Sequence, residues 1–257
     1  MLSFVGLGLY DEHSLTLEAR DVLQAVDRVF AETYTSRLVG ATIEDLEAAL
    51  DVTVSVRDRA GIEQTPDPIL DAAASGTAAF VTAGDPMIAT THVDLRLRAH
   101  DRGIETRVVH GVTAQTAASS LTGLQNYRFG PATTIPFPDT RGIDGVPESA
   151  LETIRTNRDR GLHTICYLDI DAAGDRYMSA DTAATILAEH LPQTVGVAIA
   201  RAGSPDPLVR ADILGTLADE DFGDPLHLLV IPGRCHDLEA EALLAFADAP
   251  ADDLETV

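Results

Sequence analysis

As far as residue 109 the chain alternates short apolar runs with amphipathic helical stretches, and that alternation restricts the fold more than any other feature. The runs lie at residues 2–7, 28–31, 51–56, 78–82 and 105–109. Between the first two, Leu15, Ala19, Val22, Leu23 and Val26 recur at helical spacing, so 15–27 is expected as a helix. Thr42 precedes a second helical stretch at 43–50. Residues 67–74 form another, with Gly76 as its stop, and 93–102 a further one ending at Gly103. Antiparallel neighbours can be joined by tight turns, whereas a helix-length crossover joins parallel ones. This stretch is therefore expected to build an α/β fold on a mostly parallel sheet.

The pattern changes near His110-Gly111. Residues 113–121 are small and apolar, like a tightly packed helix. Strands are expected at 132–135, 163–169, 195–201 and 226–231, the last stopped by Pro232-Gly233, with a helix at 180–190. A junction near 110–115 divides the chain into domains 1–111 and 112–257, each large enough to bury a core. Residues 248–257 are acidic and expected to fray.

Of 257 residues, 41 are Asp or Glu, and the formal net charge is −23. No lysine occurs, so all side-chain positive charge at neutral pH is arginine. Such a carboxylate surface repels itself unless ions screen it, which suits a saline cytoplasm of the kind halophilic archaea maintain. An acidic face for one basic partner is the rival explanation, but the charge is spread along the whole chain. Direct nucleic-acid binding is disfavoured, because phosphate contacts need clustered Lys and Arg. No apolar run approaches a membrane span, and Met1 leads straight into an apolar strand, so a cytoplasmic protein is expected without membrane contact. Cys166 and Cys235 are too few for a disulfide framework and read as buried thiols.

Gly6-Leu7-Gly8-Leu9-Tyr10-Asp11 follows the first strand, where glycines let the backbone approach a ligand closely. The third glycine of a dinucleotide fingerprint is missing where Asp11 stands, although Glu32 lies near the distance of the ribose acid. More specific is Ala83-Gly84-Asp85-Pro86-Met87-Ile88-Ala89-Thr90-Thr91-His92, at the carboxyl end of a buried strand, where α/β proteins bind ligands. A plain helix-capping turn accounts for Gly84, Asp85 and Pro86, but not for the small apolar pair and threonines after them. Thr113-Ala114 reads from its residues as ordinary small-residue packing, and Leu168 as core closing an apolar strand. The segment from Arg201 to Pro207, which contains Ala202, reads as a glycine turn, and His227 as a hydrogen-bonded structural histidine. The histidines are scattered without zinc-type spacing, so no metal site is expected. A phosphate-binding loop that needs lysine is excluded, and no Gly-x-Ser-x-Gly turn is present.

In their order along the chain these motifs closely resemble the diphthine synthase family of the tetrapyrrole-methylase superfamily. The resemblance rests on Val5 to Asp11, Ala31-Glu32-Thr33-Tyr34-Thr35-Ser36 and Gly84 to His92. It continues through Leu121 to Gly130, Gly161 to Ile170, Ala200 to Ser204 and Glu220 to His227. It implies a tetrapyrrole-methylase-like α/β fold of two α/β domains, with S-adenosyl-L-methionine in the cleft between them, and a homodimer. It also implies methylation of the amino group of a 3-amino-3-carboxypropyl histidine on translation elongation factor 2, in three transfers that give diphthine. By carry-over onto matching positions, Leu9, Asp85, Ile88, Thr113, Ala114, Leu168, Ala202 and His227 would hold the methyl donor. Residues 112–115 depart from the family wording, which leaves side-chain contacts at Thr113-Ala114 open. Porphyrinoid relatives usually carry Pro-Gly after the second glycine, where this chain has Leu9-Tyr10-Asp11. Alternatives are a precorrin or uroporphyrinogen methyltransferase of the same fold, or a non-catalytic cofactor-binding or interaction protein of the translation machinery. No residue is singled out as a general base.

Overall fold

The computed structural model describes residues 1–139, 145–171 and 174–256. The chain forms two compact units, Met1–Thr113 and Ala114–Val257.

The first unit contains β1 (Leu2–Gly6), α1 (Leu17–Ala25), β2 (Arg28–Ala31), α2 (Ile43–Leu50) and β3 (Val54–Val56). After these come α3 (Arg59–Glu63), α4 (Asp67–Ser75), β4 (Ala78–Thr82), α5 (Val93–Asp101) and β5 (Thr106–Val109). The sheet order is β3-β2-β4-β1-β5, with every pairing parallel. Strand alternation sends Val5, Val29 and Val81 to one face, where they pack on Ala19 and Leu23 of α1 and Leu46 and Leu50 of α2. Phe4, Phe30 and Phe80 pack on the other face with Ile69 and Leu70 of α4 and Leu95 of α5. Each such fully buried side chain contributes about 1.5–3 kcal/mol. Thr16 and Thr42 cap α1 and α2, their hydroxyls accepting from Ala19 N at 3.0 Å and Asp45 N at 3.1 Å. β3 is shorter than its apolar run because Asp51 turns left-handed (φ +56°) to cap α2, and Val52 N donates to Glu47 O at 3.3 Å.

The second unit begins with α6 (Ala114–Thr122), β6 (Thr133–Ile135), α7 (Glu148–Asp159), β7 (Thr164–Leu168), β8 (Ile170–Asp171) and β9 (Arg176–Tyr177). It continues through α8 (Ala180–Ala188), β10 (Val195–Ala200), β11 (Leu208–Ile213), α9 (Leu214–Leu217), β12 (His227–Ile231) and α10 (Asp237–Ala247). Its sheet has the order β11-β10-β12-β7-β6 and, unlike the first, is mostly antiparallel. Only β6 and β7 run parallel, and the other pairings are antiparallel. The cause is β11, which returns directly beside β10 without a helical crossover.

A buried carboxylate organises one side of this unit. Glu239 in the first turn of α10 accepts from Gln125 N at 2.9 Å, His236 N at 2.8 Å and His163 Nε2 at 3.1 Å. His163 Nδ1 accepts in turn from Gly233 N at 3.1 Å. Burial alone would raise the Glu239 pKa, but the His236 and Gln125 amides outweigh it and hold the carboxyl below its usual value. Described residues of the acidic tail are ordered, contrary to the frayed end expected, while Val257 lies outside them. A short 3-10 turn spans Ala251–Asp253, Glu255 O accepts from Cys235 N at 2.7 Å, and Leu254 packs on the core. Cys166 and Cys235 are free and buried, and burial pushes both thiols up to about 12. Among the described residues no helix is long and apolar enough to cross a membrane.

Candidate functional site

The loops that follow β1 and β4 leave in opposite directions. The chain runs from β1 to β2 past β4, and from β4 to β5 past β1. Such a reversal opens the crevice where α/β sheets bind ligands. Gly8 (φ +80°) and Gly84 (φ +72°) sit at this point and pair through their backbones, with Gly8 N donating to Gly84 O at 3.3 Å and Gly84 N to Gly8 O at 2.6 Å. Gly6 and Gly111 close in from the sides. A Cβ on Gly6 would lie 2.5 Å from Gly84 O and 2.6 Å from Gly111 N, and one on Gly111 would overlap Gly84 O. Above Gly84, by contrast, an added Cβ meets nothing within 4 Å. The three backbones thus form a tight floor beneath open space, with Leu9 half-buried beside it.

Asp85 follows Gly84 and is only 4% exposed. Its Oδ1 accepts from Met87 N at 2.9 Å, and its Oδ2 from His110 Nδ1 at 2.7 Å and Gly111 N at 3.3 Å. Both carboxylate oxygens are therefore engaged inside this unit, and the side chain buckles the β4 loop to the end of β5. Pro86 O accepts from the Thr90 hydroxyl at 2.9 Å, and Ala89 turns left-handed (φ +55°). That tight loop turns Ile88 outward, 44% exposed. Asp85→Ala is expected to leave the Met87 and Gly111 amides unpartnered, at about 2–3 kcal/mol. A fall in melting temperature together with at least a tenfold loss of donor affinity by calorimetry is the expected outcome.

Beneath the loop lies a cluster that the sequence did not reveal. Glu32 is buried, and its Oε2 accepts from Tyr34 N at 2.9 Å and Thr35 N at 2.8 Å, while Oε1 accepts from the Thr82 hydroxyl at 2.5 Å. It is turned inward and does not stand as a ribose acid. His92 Nδ1 donates to Pro86 O at 3.3 Å, and its ring meets Phe80 edge-on at 4.8 Å.

In the second unit the strand register gathers Leu168, Ala202 and His227 at one end of the sheet. β7 and β10 both run antiparallel to β12, so their carboxyl ends meet its start, with Ala200 opposite His227 and Tyr167 opposite Leu228. Leu168 closes β7, and Ala202 follows β10 between Arg201 (φ +53°) and Gly203 (φ +89°). Both are half-buried. Ala114 opens α6, and Thr113 ends the first unit. The His227 ring has both nitrogens occupied, since Nδ1 accepts from Ala180 N and Nε2 donates to Asp224 O, each at 3.1 Å. Its side chain is a structural plug, and only its backbone remains for a ligand.

Burial lowers the pKa of His92, His163 and His227, against the opposing pull of their acceptors. Above about pH 6.5 these rings are neutral in both folded and unfolded chains. Below it the unfolded chain takes up protons that the folded interior refuses, so stability falls with pH. The melting temperature at fixed high salt is expected to stay level from pH 8 to 7 and drop from pH 7 to 5, as calorimetric scans would show.

Comparison with known proteins adds the following. The family model for Tetrapyrrole (Corrin/Porphyrin) Methylases matches residues 1–218. The chain is 63% identical over 257 residues to the diphthine synthase of Haloquadratum walsbyi, covering 100% of this chain and 99% of that one. It is 63% identical over 256 residues to the diphthine synthase of Haloarcula marismortui, covering 97% and 99%. A crystal structure of a diphthine synthase superposes with a TM-score of 0.91 at 34% identity, covering 98% of this chain and 97% of the other.

Proposed function

Because the chain belongs to the tetrapyrrole-methylase family, and within it to the diphthine synthases, we propose that it methylates the amino group of a 3-amino-3-carboxypropyl histidine on translation elongation factor 2. It is an S-adenosylmethionine-dependent methyltransferase of diphthamide biosynthesis. Full-length agreement with the halophilic relatives carries this conclusion. The floor of Gly6, Gly84 and Gly111 is its physical counterpart, since open space above bare backbone suits a bulky ligand lying close against the loops.

S-adenosylmethionine, when bound, supplies an already activated methyl group, so the protein chiefly positions and desolvates the acceptor. By the resemblance, Leu9, Asp85, Ile88, Thr113, Ala114, Leu168, Ala202 and His227 would hold it. Asp85 and His227 would contribute backbone groups, as their side chains are engaged internally. The amine must be neutral to attack, and a free amine is mostly protonated near pH 7. Apolar Leu9, Ile88, Leu168 and Ala202 favour the neutral form by keeping water away. Three rounds of transfer would give the trimethylammonium product.

We further infer a cytoplasmic homodimer that does not bind nucleic acid. The dimer is supported by Val93 and Leu97, exposed one turn apart on α5, and the last statement by the net charge of −23. Mass spectrometry of elongation factor 2 carrying the precursor histidine, incubated with enzyme and S-adenosylmethionine, tests the acceptor. A ladder of added methylene masses on that histidine is expected. An unmodified factor, with methylation of a porphyrinogen instead, would overturn the proposal.

A further inference from the structure

The pair formed by Asp85 and His110 has the build of a proton-accepting dyad. His110 follows β5, and its side chain is 79% exposed, whereas Asp85 is 4% exposed. A carboxylate only accepts, so the 2.7 Å contact fixes the proton on His110 Nδ1. That leaves Nε2 as the basic nitrogen, and it has no hydrogen-bond partner among the described residues. Asp85 cannot swing away, because the Met87 and Gly111 amides pin it at 2.9 and 3.3 Å. A buried carboxylate that orients an imidazole whose far nitrogen faces outward is the arrangement general bases use. The dyad also stands on the loop assigned to the methyl donor, since Asp85 lies between Gly84 and the outward Ile88.

We propose that His110 is the catalytic base of methyl transfer and Asp85 its positioning residue, an assignment that rests on the methyltransferase reading above. The acceptor enters as an ammonium, and one of its protons passes to His110 Nε2. The freed nitrogen lone pair forms the new N–C bond, the methyl C–S bond breaks, and its electron pair stays on sulfur. Each transfer therefore releases one proton, and the exposed ring hands it to water before the next round. Trimethylation needs this step three times and ends at a nitrogen with no proton left to lose.

The experiment compares wild type, His110→Asn and His110→Ala in single-turnover methylation of precursor-bearing elongation factor 2, with donor affinity measured in parallel. His110→Asn keeps an N–H for Asp85 and so keeps the loop buckled, but it has no basic nitrogen. Donor affinity within about twofold of wild type and transfer slowed about 100-fold or more are expected for it. Added imidazole should restore His110→Ala at least tenfold, a rescue that a purely structural role would not show. Unaltered transfer in both variants, or a rate loss that only tracks lost donor affinity and ignores imidazole, would overturn the assignment. If wild type itself leaves the factor unmodified, the acceptor is wrong; if wild type works and the variants match it, only His110 is.

Discussion

Gly111→Ala is expected to abolish donor binding. The new Cβ would overlap Gly84 O and lie 2.9 Å from Gly6 C and 3.0 Å from Gly6 Cα. All of these are backbone atoms at the ends of adjoining strands, so no side chain can rotate away. The overlap must push the β4 loop off β1, which breaks the Gly8–Gly84 pairing and the Gly111 amide contact with Asp85. Overpacking of this kind costs about 1–3 kcal/mol or more. Calorimetric titration should show donor affinity reduced at least 100-fold, with a lower melting temperature. Gly215→Ala is the control: an added Cβ there meets nothing within 4 Å, and both quantities should hold. Retained affinity in Gly111→Ala would mean that the glycine floor does not support the donor.

Transfer from concentrated to dilute salt is expected to destabilise the protein strongly. Its arginines do not neutralise the surface, because they are shared among acids. Arg102 bridges Asp67 and Asp71, Arg176 bridges Asp139 and Asp171, and Arg210 meets Asp212, Glu220 and Asp248. Each cluster therefore keeps net negative charge. The screening length is about 3 Å at 1 M salt and about 10 Å at 0.1 M, so the clusters begin to repel one another as salt is withdrawn. Between about 3 M and 0.1 M potassium chloride the melting temperature should fall by about 10 °C or more, corresponding to roughly 3 kcal/mol or more for a chain of this size. A flat profile would remove the saline explanation of the acidic composition.

The first unit was largely legible because its two periodicities agree with its packing. α2 at Ile43–Leu50 and β4 at Ala78–Thr82 lie where spacing puts them, since each buries the residues its pattern marks as apolar. The second unit was less legible. β11 escaped notice because Arg210 and Asp212 flank the buried Ala211, and their charges pair with neighbours instead of facing open water. α7 is hidden by its polar face, showing few apolar residues besides Ala150, Leu151 and Ile154. At the site, the glycines and the Asp85 loop could be found by position and by resemblance. The partner of Asp85 could not: His110 lies 25 residues away, and only the adjacency of β1 to both β4 and β5 brings them together. The same holds for His227, whose ring is occupied by Ala180, 47 residues distant.

The sealed sulfurs of Cys166 and Cys235 make the native molecule silent toward maleimide dyes, because almost no thiolate forms near neutral pH and no reagent reaches it. One new cysteine at an open position such as Leu17, 71% exposed, would then take up a fluorophore alone. Encounters with the protein substrate could be followed by light without first stripping the chain of its own sulfur.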